Sequence, residues 1–331
     1  MVKIDRSLDR SGMLETLAKL PFIIKDAWEL GKGAKLDIPK NLVIVGMGGS
    51  AIGGELLAIF LENKYNIKVV RGYGIPPTKF VVTSSYSGNT EETLTAFEMA
   101  KASNCKILAI TSDGKLWGKA KSSNIPLIKI PQGYQPRVAL PYLFFPLLRV
   151  LAQEYDKEIP KLCEFIYLQH QNFDPNATTN PPLKLAQEIY LSGKTPIIYG
   201  SGLYAPVAHR FKTQLNENSK CLAYWDSFPE MNHNDTVGWS GEEHGDRYLP
   251  ILLRYKGEHP RVTKRIELTK SLLWKKQKMI EVWSRGKTSL QQLYWGICFL
   301  DYVSVYLALM RGFDPTPVDI ITKLKEALAK E

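Results

Sequence analysis

The sequence is poor in cysteine and histidine, the side chains that bind most structural metals. Only four cysteines and five histidines occur among 331 residues, and the cysteines (Cys105, Cys163, Cys221 and Cys298) are far apart and form no C-x-x-C pair. A disulfide-stabilised secreted domain or a zinc ribbon needs closely spaced cysteines. The composition therefore predicts reduced cysteines that pack inside a cytoplasmic protein.

Long hydrophobic runs are also missing. The most apolar segment, ALPYLFFPLLRVLA at residues 139–152, contains Arg149 and is shorter than the ~20 residues that a membrane-spanning helix needs. The first residues, MVKIDRSLDRSGM, are charged where a signal peptide would need an apolar segment. We therefore expect neither a membrane-spanning segment nor a secretion signal.

The chain lacks dense basic runs despite a formal net charge of +10. Its most basic short segment contains Lys275, Lys276 and Lys278, and no aromatic and basic side chains interleave as they do in RNA-binding sheets. We expect no nucleic-acid partner. A positive charge that is spread over the surface instead favours the attraction of small anionic metabolites.

Short apolar segments of strand type alternate with segments of helix type. Strands are predicted at residues 42–45, 68–70, 80–83, 107–110 and 127–130, and helices at residues 11–30, 50–62, 91–102, 114–121, 289–311 and 318–330. Regular alternation of strands and helices predicts an α/β fold with a doubly wound parallel sheet.

A glycine-rich segment follows the first predicted strand. In NLVIVGMGGSAIGGE, residues 41–55, the strand leads to Gly46, Gly48 and Gly49, and a helix is predicted to begin near Ser50. Glycines let backbone N–H groups approach a ligand closely, and a helix N-terminus attracts anions. The pattern favours a phosphate-binding loop, but a dinucleotide fingerprint and a tight turn without a ligand contain similar glycines.

A hydroxyl-rich segment follows the third predicted strand. Residues 84–90, SSYSGNT, contain five hydroxyl side chains, and Glu91 and Glu92 open the next helix. Ser and Thr hydroxyls, together with N-terminal amides of a helix, can bind a phosphate monoester without Lys or Arg. The alternative is helix capping, in which Ser87 or Thr90 only accepts hydrogen bonds from the first amides of the helix.

The strand, glycine turn and helix recur 154 residues later in the chain. TPIIYGSGLYAPVAHRF at residues 195–211 repeats the pattern of NLVIVGMGGSAIGGELL at residues 41–57, without a second hydroxyl-rich segment. Two copies of one unit predict two α/β domains. We place them at residues 1–155 and 156–331.

Three polar segments contain candidate catalytic groups. Arg137 ends the turn GYQPR, and a cation is unfavourable at a helix start, which favours a role beside a phosphate or an enediolate. Glu217 lies in NEN near the end of an amphipathic helix. There the helix dipole disfavours an anion and favours a base, although a solvated helix face shows the same pattern.

His233 lies in NHND, among side chains that form turns. Its imidazole suits proton transfer near neutral pH, but a lone histidine is more often structural. His233, Asp235 and His244 also have side chains that bind zinc, yet their spacing matches no diagnostic ligand pattern. We expect no metal.

The segments GMGGSAIGGE and SSYSGNTEET together resemble the sugar isomerase (SIS) domain, and most of the chain is similar to the bifunctional phosphoglucose/phosphomannose isomerase family. The resemblance implies two SIS domains of the flavodoxin-like, doubly wound type, followed by C-terminal helices. It also implies a homodimeric aldose–ketose isomerase that interconverts glucose 6-phosphate and mannose 6-phosphate with fructose 6-phosphate. The reaction would proceed through ring opening and a cis-enediol, without a cofactor or metal.

The same resemblance implies a set of residues that bind the sugar phosphate, namely Gly49, Ser50, Ser85, Ser87 and Thr90. Glu217 would move the proton between C1 and C2, and Arg137 would stabilise the enediolate. His233 would open the sugar ring and would come from the partner subunit.

Two further residues near the C-terminus match the family pattern. Lys323 would be the ring-opening lysine, although Lys325 is close enough for the same role. Thr316 would leave room for both epimers at C2. If a helix begins at Thr316, two helical turns place Thr316 and Lys323 on one face.

Other functions fit parts of the sequence. One alternative is another SIS-domain isomerase that acts on an amino sugar or a pentose phosphate. A sugar-phosphate sensor would need the hydroxyl-rich segment but not Arg137, Glu217 and His233 together. A dinucleotide enzyme would use GMGGSA, with Arg71 beside an NADP phosphate.

Overall fold

The computed structural model describes residues 4–34, 36–241, 245–275, 278–328 and 330. They form two compact units, which are described separately below. The first unit is Lys19–Tyr167, and the second unit combines Met1–Ala18 with Leu168–Glu331. The predicted domains, residues 1–155 and 156–331, have the same order along the chain but place the N-terminal residues differently.

The N-terminal segment contains two helices where one helix at residues 11–30 is predicted, so that prediction is wrong. Helix α1 (Met13–Ala18) belongs to the second unit, and α2 (Leu20–Leu30) belongs to the first. Pro21 lies in the first turn of α2. Because proline lacks an N–H and clashes with the carbonyl four residues earlier, a helix cannot continue unbroken through this position.

The first unit contains a five-stranded parallel sheet. Its strands are β1 (Asn41–Val45), β2 (Asn66–Val70), β3 (Phe80–Ser84), β4 (Lys106–Thr111) and β5 (Leu127–Lys129). They are ordered β2-β1-β3-β4-β5. The central strands β1, β3 and β4 are almost entirely buried, as expected for a parallel sheet that is covered by helices on both faces.

The remaining helices that begin in the first unit are α3 (Gly48–Phe60), α4 (Glu91–Ala102), α5 (Gly114–Ser122), α6 (Leu140–Leu151) and α7 (Ile159–Gln171). The division between the units falls within α7. Helices follow β1, β3 and β4, whereas β2 leads to β3 without a helix. Because all five strands are parallel and helices separate most of them, the predicted doubly wound α/β fold is confirmed.

The second unit contains a four-stranded parallel sheet. Its strands are β6 (Thr195–Ser201), β7 (Tyr224–Phe228), β8 (Tyr248–Arg254) and β9 (Ile280–Trp283). They are ordered β7-β6-β8-β9, which repeats the order β2-β1-β3-β4 of the first unit. The internal repeat of the sequence is therefore also a repeat of topology.

The other helices of the second unit are α8 (Pro181–Ser192), α9 (Ala205–Glu217), α10 (Asp235–Trp239), α11 (Pro260–Leu273), α12 (Ser289–Met310) and α13 (Asp319–Leu328). By length and composition α12 could cross a membrane, but its apolar window is entirely buried within the structure. It packs against α1, α8 and α9. Helix α12 is therefore the core helix of its unit.

Helix α13 begins at Asp319 and not at Thr316. Thr316 precedes Pro317, and the residue before a proline is sterically disfavoured in the helical region. Thr316 therefore lies in the segment before the helix predicted at residues 318–330, and the condition for placing Thr316 and Lys323 on one helix face is not met.

Candidate active site

The strand order of the first unit indicates where a ligand-binding crevice is expected. The order reverses between β1 and β3, because β2 lies on the far side of β1 while β4 and β5 lie beyond β3. In open α/β sheets, ligands bind beyond the carboxyl ends of the strands at such a switch point. The loops after β1 and β3 are the glycine-rich and hydroxyl-rich segments.

The glycine-rich loop contacts the hydroxyl-rich loop directly. Helix α3 begins at Gly48, two residues before Ser50, so Ser50 lies in its first turn. The backbone N–H of Tyr86 donates a hydrogen bond of 3.2 Å to Ser50 Oγ. A Cβ atom at Gly46 would lie 2.9 Å from the carbonyl oxygen of Ser84, so this close approach of the loops requires glycine.

The hydroxyls that follow β3 bond to each other. Ser85 Oγ lies 2.9 Å from Thr90 Oγ1, and the Gly88 N–H donates to Ser85 Oγ at 3.1 Å. Thr90 is the N-cap residue of α4, yet its side chain accepts no capping hydrogen bond. Ser87 is exposed, and its Oγ accepts from the Asn89 N–H at 3.3 Å. Helix capping therefore does not account for these hydroxyls.

Arg137 lies in a turn that contacts both the glycine-rich loop and the hydroxyl-rich loop. The backbone N–H of Tyr134 donates to the Tyr86 hydroxyl at 2.8 Å, and burial raises the pKa of the Tyr86 phenol. A Cβ atom at Gly49 would lie 3.0 Å from the Pro136 carbonyl oxygen, so this turn also touches the glycine-rich loop. Arg137 itself is only 5% exposed. The first unit thus places a buried guanidinium in a turn that adjoins the predicted phosphate loops.

Arg71, the residue that a dinucleotide enzyme would use, forms an ion pair with Glu55 within the first unit. A guanidinium that is engaged by a carboxylate is less suited to bind the 2′-phosphate of NADP. This contact does not favour the dinucleotide alternative.

Glu217 is the last residue of α9 and is half-buried. The chain just after it is anchored to α12. Asn218 Nδ2 donates to Ser304 Oγ at 2.8 Å, and Ser219 Oγ donates to the Ser304 carbonyl at 2.6 Å. Both anchoring residues are buried, so the backbone that carries the Glu217 carboxylate is held by the core helix of the second unit.

His233 is exposed at the end of a short 3₁₀ helix before α10. Its flanking residues are fixed to the body of the second unit. Asn232 Nδ2 donates to Thr269 Oγ1 at 2.9 Å, and the Tyr199 hydroxyl donates to Asp235 Oδ2 at 2.9 Å. Trp239 Nε1 donates in turn to the Tyr199 hydroxyl at 2.7 Å. The structure therefore presents the His233 ring outwards on an anchored segment.

Thr316 is buried, and its backbone N–H donates to Asp314 Oδ1 at 2.9 Å. Lys323 and Lys325 are both exposed on α13, so the structure does not distinguish between the two lysines. The sequence reading missed Lys220, whose ammonium contacts the segments that contain Glu217 and Thr316. A basic residue just after a helix C-terminus was the available signal.

Among the described residues, no group of three or more His, Cys, Asp and Glu side chains could hold a metal ion. The predicted alternative of a site with His233 and Asp235 included His244, which lies outside the described residues.

Two doubly wound sheets of equal strand order, with a glycine loop and a hydroxyl loop at one switch point, define a protein of the SIS class. A model of the bacterial phospho-glucose isomerase C-terminal SIS domain matches residues 178–328. A solved structure of a hypothetical protein from Thermus thermophilus superimposes with a TM-score of 0.75 at 15% identity, covering 97% of this chain and 91% of that chain. That likeness concerns the fold.

A bifunctional phosphoglucose/phosphomannose isomerase from Caldicellulosiruptor bescii is 38% identical over 336 residues, covering 96% of this chain and 99% of the relative. The chain belongs to the bifunctional phosphoglucose/phosphomannose isomerase family, and the prediction of an isomerase is confirmed. A D-glucosamine-6-phosphate 4-epimerase from Sulfolobus acidocaldarius is 36% identical over 225 residues, covering 66% of this chain and 71% of the relative.

Proposed function

We propose that this enzyme interconverts glucose 6-phosphate and mannose 6-phosphate with fructose 6-phosphate. The observation that carries the proposal is the joining of Ser50, Ser85 and Thr90 through contacts between two loops at the strand-order switch. Hydroxyls and amides at this position suit a phosphate monoester, which every one of these sugars contains.

The phosphate is bound by Gly49, Ser50, Ser85, Ser87 and Thr90. The first turn of α3 contributes backbone N–H groups and the positive end of the helix dipole. The buried Ser50 and Ser85 hydroxyls give the site a fixed shape, whereas the Ser87 hydroxyl is exposed and can donate its proton to a ligand while its oxygen accepts from the Asn89 N–H.

Ring opening precedes the isomerisation. His233 and Lys323 move protons between the ring oxygen and the C1 hydroxyl, so that the C1–ring-oxygen bond breaks and an aldehyde forms. Because His233 is exposed, we assign it to the active site of a second copy of the chain. The proposed enzyme is thus a homodimer with shared active sites.

Isomerisation needs one base and one cation. The Glu217 carboxylate removes the C2 proton, the C2–H electron pair forms the C1–C2 double bond, and the aldehyde oxygen becomes an enediolate oxygen. Arg137 stabilises that oxygen. The proton of the C2 hydroxyl passes to the oxygen on C1, so that the C2 oxygen carries the negative charge. The C1–C2 double-bond electrons then take the proton from Glu217 at C1, and the C2 oxygen forms the ketone of fructose 6-phosphate. Protein groups fill each role, so the proposed mechanism needs no cofactor.

The four cysteines are free thiols in the structure, which agrees with a reducing compartment. Together with a sugar-phosphate substrate, this favours the cytoplasm.

A coupled assay tests the proposal. Purified protein is incubated with fructose 6-phosphate in the presence of EDTA and without a nicotinamide cofactor in the isomerisation step, and both aldose products are measured separately. We expect glucose 6-phosphate and mannose 6-phosphate to form. If only one aldose forms, dual specificity is wrong, and if activity requires added zinc, the assignment of roles to protein groups is wrong.

The epimerase relative supports a second candidate, a reaction on an amino sugar phosphate. The same phosphate loops would bind it, so binding alone does not separate the two reactions. Incubation with D-glucosamine 6-phosphate, with the products resolved by NMR, tests this candidate. Inversion at C4 at a rate that exceeds the isomerisation rate would favour the epimerase.

A further inference from the structure

One lysine contacts two separate segments of the second unit. Lys220 Nζ donates to the carbonyl oxygens of Glu217 at 3.0 Å and Asn218 at 3.3 Å, at the end of α9. It also donates to the carbonyl oxygens of Asp314 at 2.8 Å and Pro315 at 3.4 Å. An ammonium has three donors, so these four contacts share its protons, and each segment has one contact of 3.0 Å or less.

The backbone around Lys220 is arranged for this contact. Its φ of +50° lies in the left-handed region, where glycine is the usual residue after a helix. Glycine would relieve the backbone but would supply no ammonium. The guanidinium of Arg311 also holds the backbone that follows α9, since it donates to the carbonyls of Ser219 at 3.0 Å and Lys220 at 3.3 Å.

The segment on the other side of the contact is itself ordered. The Thr316 N–H donates to the Asp314 carboxylate at 2.9 Å, and Pro315 and Thr316 are buried. A shift of the Asp314 carbonyl would therefore move Thr316 with it. Through Lys220, the position of this segment is tied to the backbone of Glu217.

We infer that Lys220 is a positioning residue that fixes the proposed base Glu217 relative to Thr316, the residue to which the family resemblance assigns tolerance at C2 of the sugar. The inference rests on the proposed isomerase function. It explains how one base serves two epimers, because the space at C2 and the position of the carboxylate are set by the same ammonium.

The expected consequences are kinetic. A displacement of about 1 Å in a reacting group commonly costs ~100-fold in rate. Lys220→Met keeps most of the aliphatic stem and removes all donors. We expect it to lower kcat at least about tenfold on both aldoses, with a smaller change in KM, because the phosphate is bound by the first unit. Lys220→Arg retains several donors and should recover part of the rate.

Lys270→Met is the matched control. Lys270 also lies in the second unit and contacts Glu267 Oε2 and Glu281 Oε2, each at 3.0 Å. Those carboxylates lie in α11 and β9, away from the end of α9 and from residues 314–316. Loss of this lysine should lower the melting temperature while leaving kcat within about twofold of the unchanged enzyme.

A double-mutant cycle provides a readout that lost stability alone would not change. Thr316→Gln should lower kcat/KM for mannose 6-phosphate relative to glucose 6-phosphate about tenfold or more. If Lys220 holds the segment that includes Thr316, the segment can yield to the longer side chain in the Lys220→Met background. The same substitution should then cost less than about threefold in that ratio.

The outcomes separate the two proposals. No turnover of either aldose by the unchanged enzyme would overturn the proposed function, and the role of Lys220 with it. Normal turnover, with equal effects of Thr316→Gln in both backgrounds, would overturn the role of Lys220 alone. If Lys220→Met does not fold, the cycle is run with Lys220→Arg, and a change in the Thr316→Gln effect is still expected because the bridging distances differ.

Discussion

At the scale of single residues, the proposed chemistry depends most on the Glu217 carboxylate. We expect Glu217→Gln to lose both turnover and exchange of the C2 proton with solvent, because an amide does not accept that proton. Binding of the sugar phosphate should change little, since the loops that we assign to the phosphate lie in the first unit. Proton NMR in D₂O and calorimetric titration measure these two properties. Exchange that persists would assign the base to another group.

Thr316 is the residue to which we assign tolerance at C2. Glucose and mannose 6-phosphates give the same enediol, so the site must present either face of C2 to one base without a clash. Thr316 is buried beside the rigid Pro315, so a longer side chain cannot easily swing away. Thr316→Gln should lower kcat/KM for mannose 6-phosphate about tenfold or more relative to glucose 6-phosphate. Equal losses on both aldoses in steady-state kinetics would mean that Thr316 supports the site only in general.

Residues whose proposed role follows from the type of their side chain were easier to predict from the sequence than residues whose role depends on contacts with distant parts of the chain. The hydroxyls of residues 84–90 were visible as an excess of one type of side chain, and their proposed phosphate-binding role follows from that type. For Lys220 the only signal was a basic residue just after a helix C-terminus, and its contacts at Asp314 and Pro315, 94 and 95 residues away, left no trace in the sequence. Only folding brings those carbonyls to the ammonium.

At the scale of elements, the loop that connects β3 to α4 depends on Gly88. Its φ is +68°, and a Cβ atom would lie 1.7 Å from the Asp113 carbonyl oxygen. Gly88→Ala must therefore displace the loop that contains Ser85 and Thr90. We expect KM for both aldoses to rise about tenfold or more, since this loop is assigned to the phosphate. Initial-rate kinetics with each substrate checks the expectation.

Gly118→Ala is the matched control for that substitution. Gly118 lies within α5, and apart from its chain neighbours and the backbone of its own helix, no described atom lies within 4 Å of its added Cβ position. Alanine in a helix is favoured over glycine by up to about 1 kcal/mol, so stability should rise slightly and KM should not change. A similar rise of KM in both variants would argue against a specific role of the loop.

The junction of α9 and α12 is predicted to determine much of the second unit's stability. Arg210 Nη2 lies 3.0 Å from Asp301 Oδ2, and Gln214 Nε2 donates to Asp301 Oδ1 at 2.8 Å, with all three residues buried. Asp301→Ala leaves a buried guanidinium without this carboxylate, which typically costs about 3–5 kcal/mol. Urea unfolding should show that loss. Glu98→Ala, which removes the exposed contact with Lys119, should cost at most about 1 kcal/mol.

Elements were predicted well where local pattern and tertiary structure agree. The helix expected at residues 91–102 is α4 with identical bounds, because its amphipathic pattern and its acidic first turn are local signals. The helix expected at residues 318–330 is α13, which begins at Asp319, one residue later than predicted. Pro317 makes Thr316 an unfavourable first residue. The strand order, which creates the switch point, depends on pairing between distant segments and was not visible in any one of them.

At the scale of the whole molecule, the two repeats have diverged in the loop after the third strand of each sheet. In the first unit, β3 leads to the hydroxyls of the proposed phosphate site. In the second unit, β8 ends at Arg254, whose Nε and Nη2 atoms bond to the Glu258 carboxylate at 2.9 and 2.8 Å. In the second unit, the Glu258 carboxylate therefore occupies the Arg254 guanidinium at the loop that corresponds to the proposed phosphate site. This contact favours one phosphate site per chain over two.

The exposed position of His233 leads to a prediction about the assembled enzyme. If His233 completes the site of its partner, a dimer of Glu217→Gln and His233→Ala subunits contains one site with both groups intact. Random exchange between the two inactive proteins should then restore about one quarter of the unchanged enzyme's sites, because half of the dimers are mixed and each has one such site.

A second pairing distinguishes this arrangement from general stabilisation by mixing. Glu217→Gln combined with Arg137→Ala should restore nothing, because both groups are assigned to the same subunit and every mixed site lacks one of them. Subunit exchange is verified by mass spectrometry of differently tagged chains, and activity is measured on fructose 6-phosphate. Recovery in the first pairing alone supports the shared site. No activity in either pairing, after exchange is verified, would place His233 in the site of its own chain. Equal activity in both pairings would show a general effect of mixing and would count against the shared site.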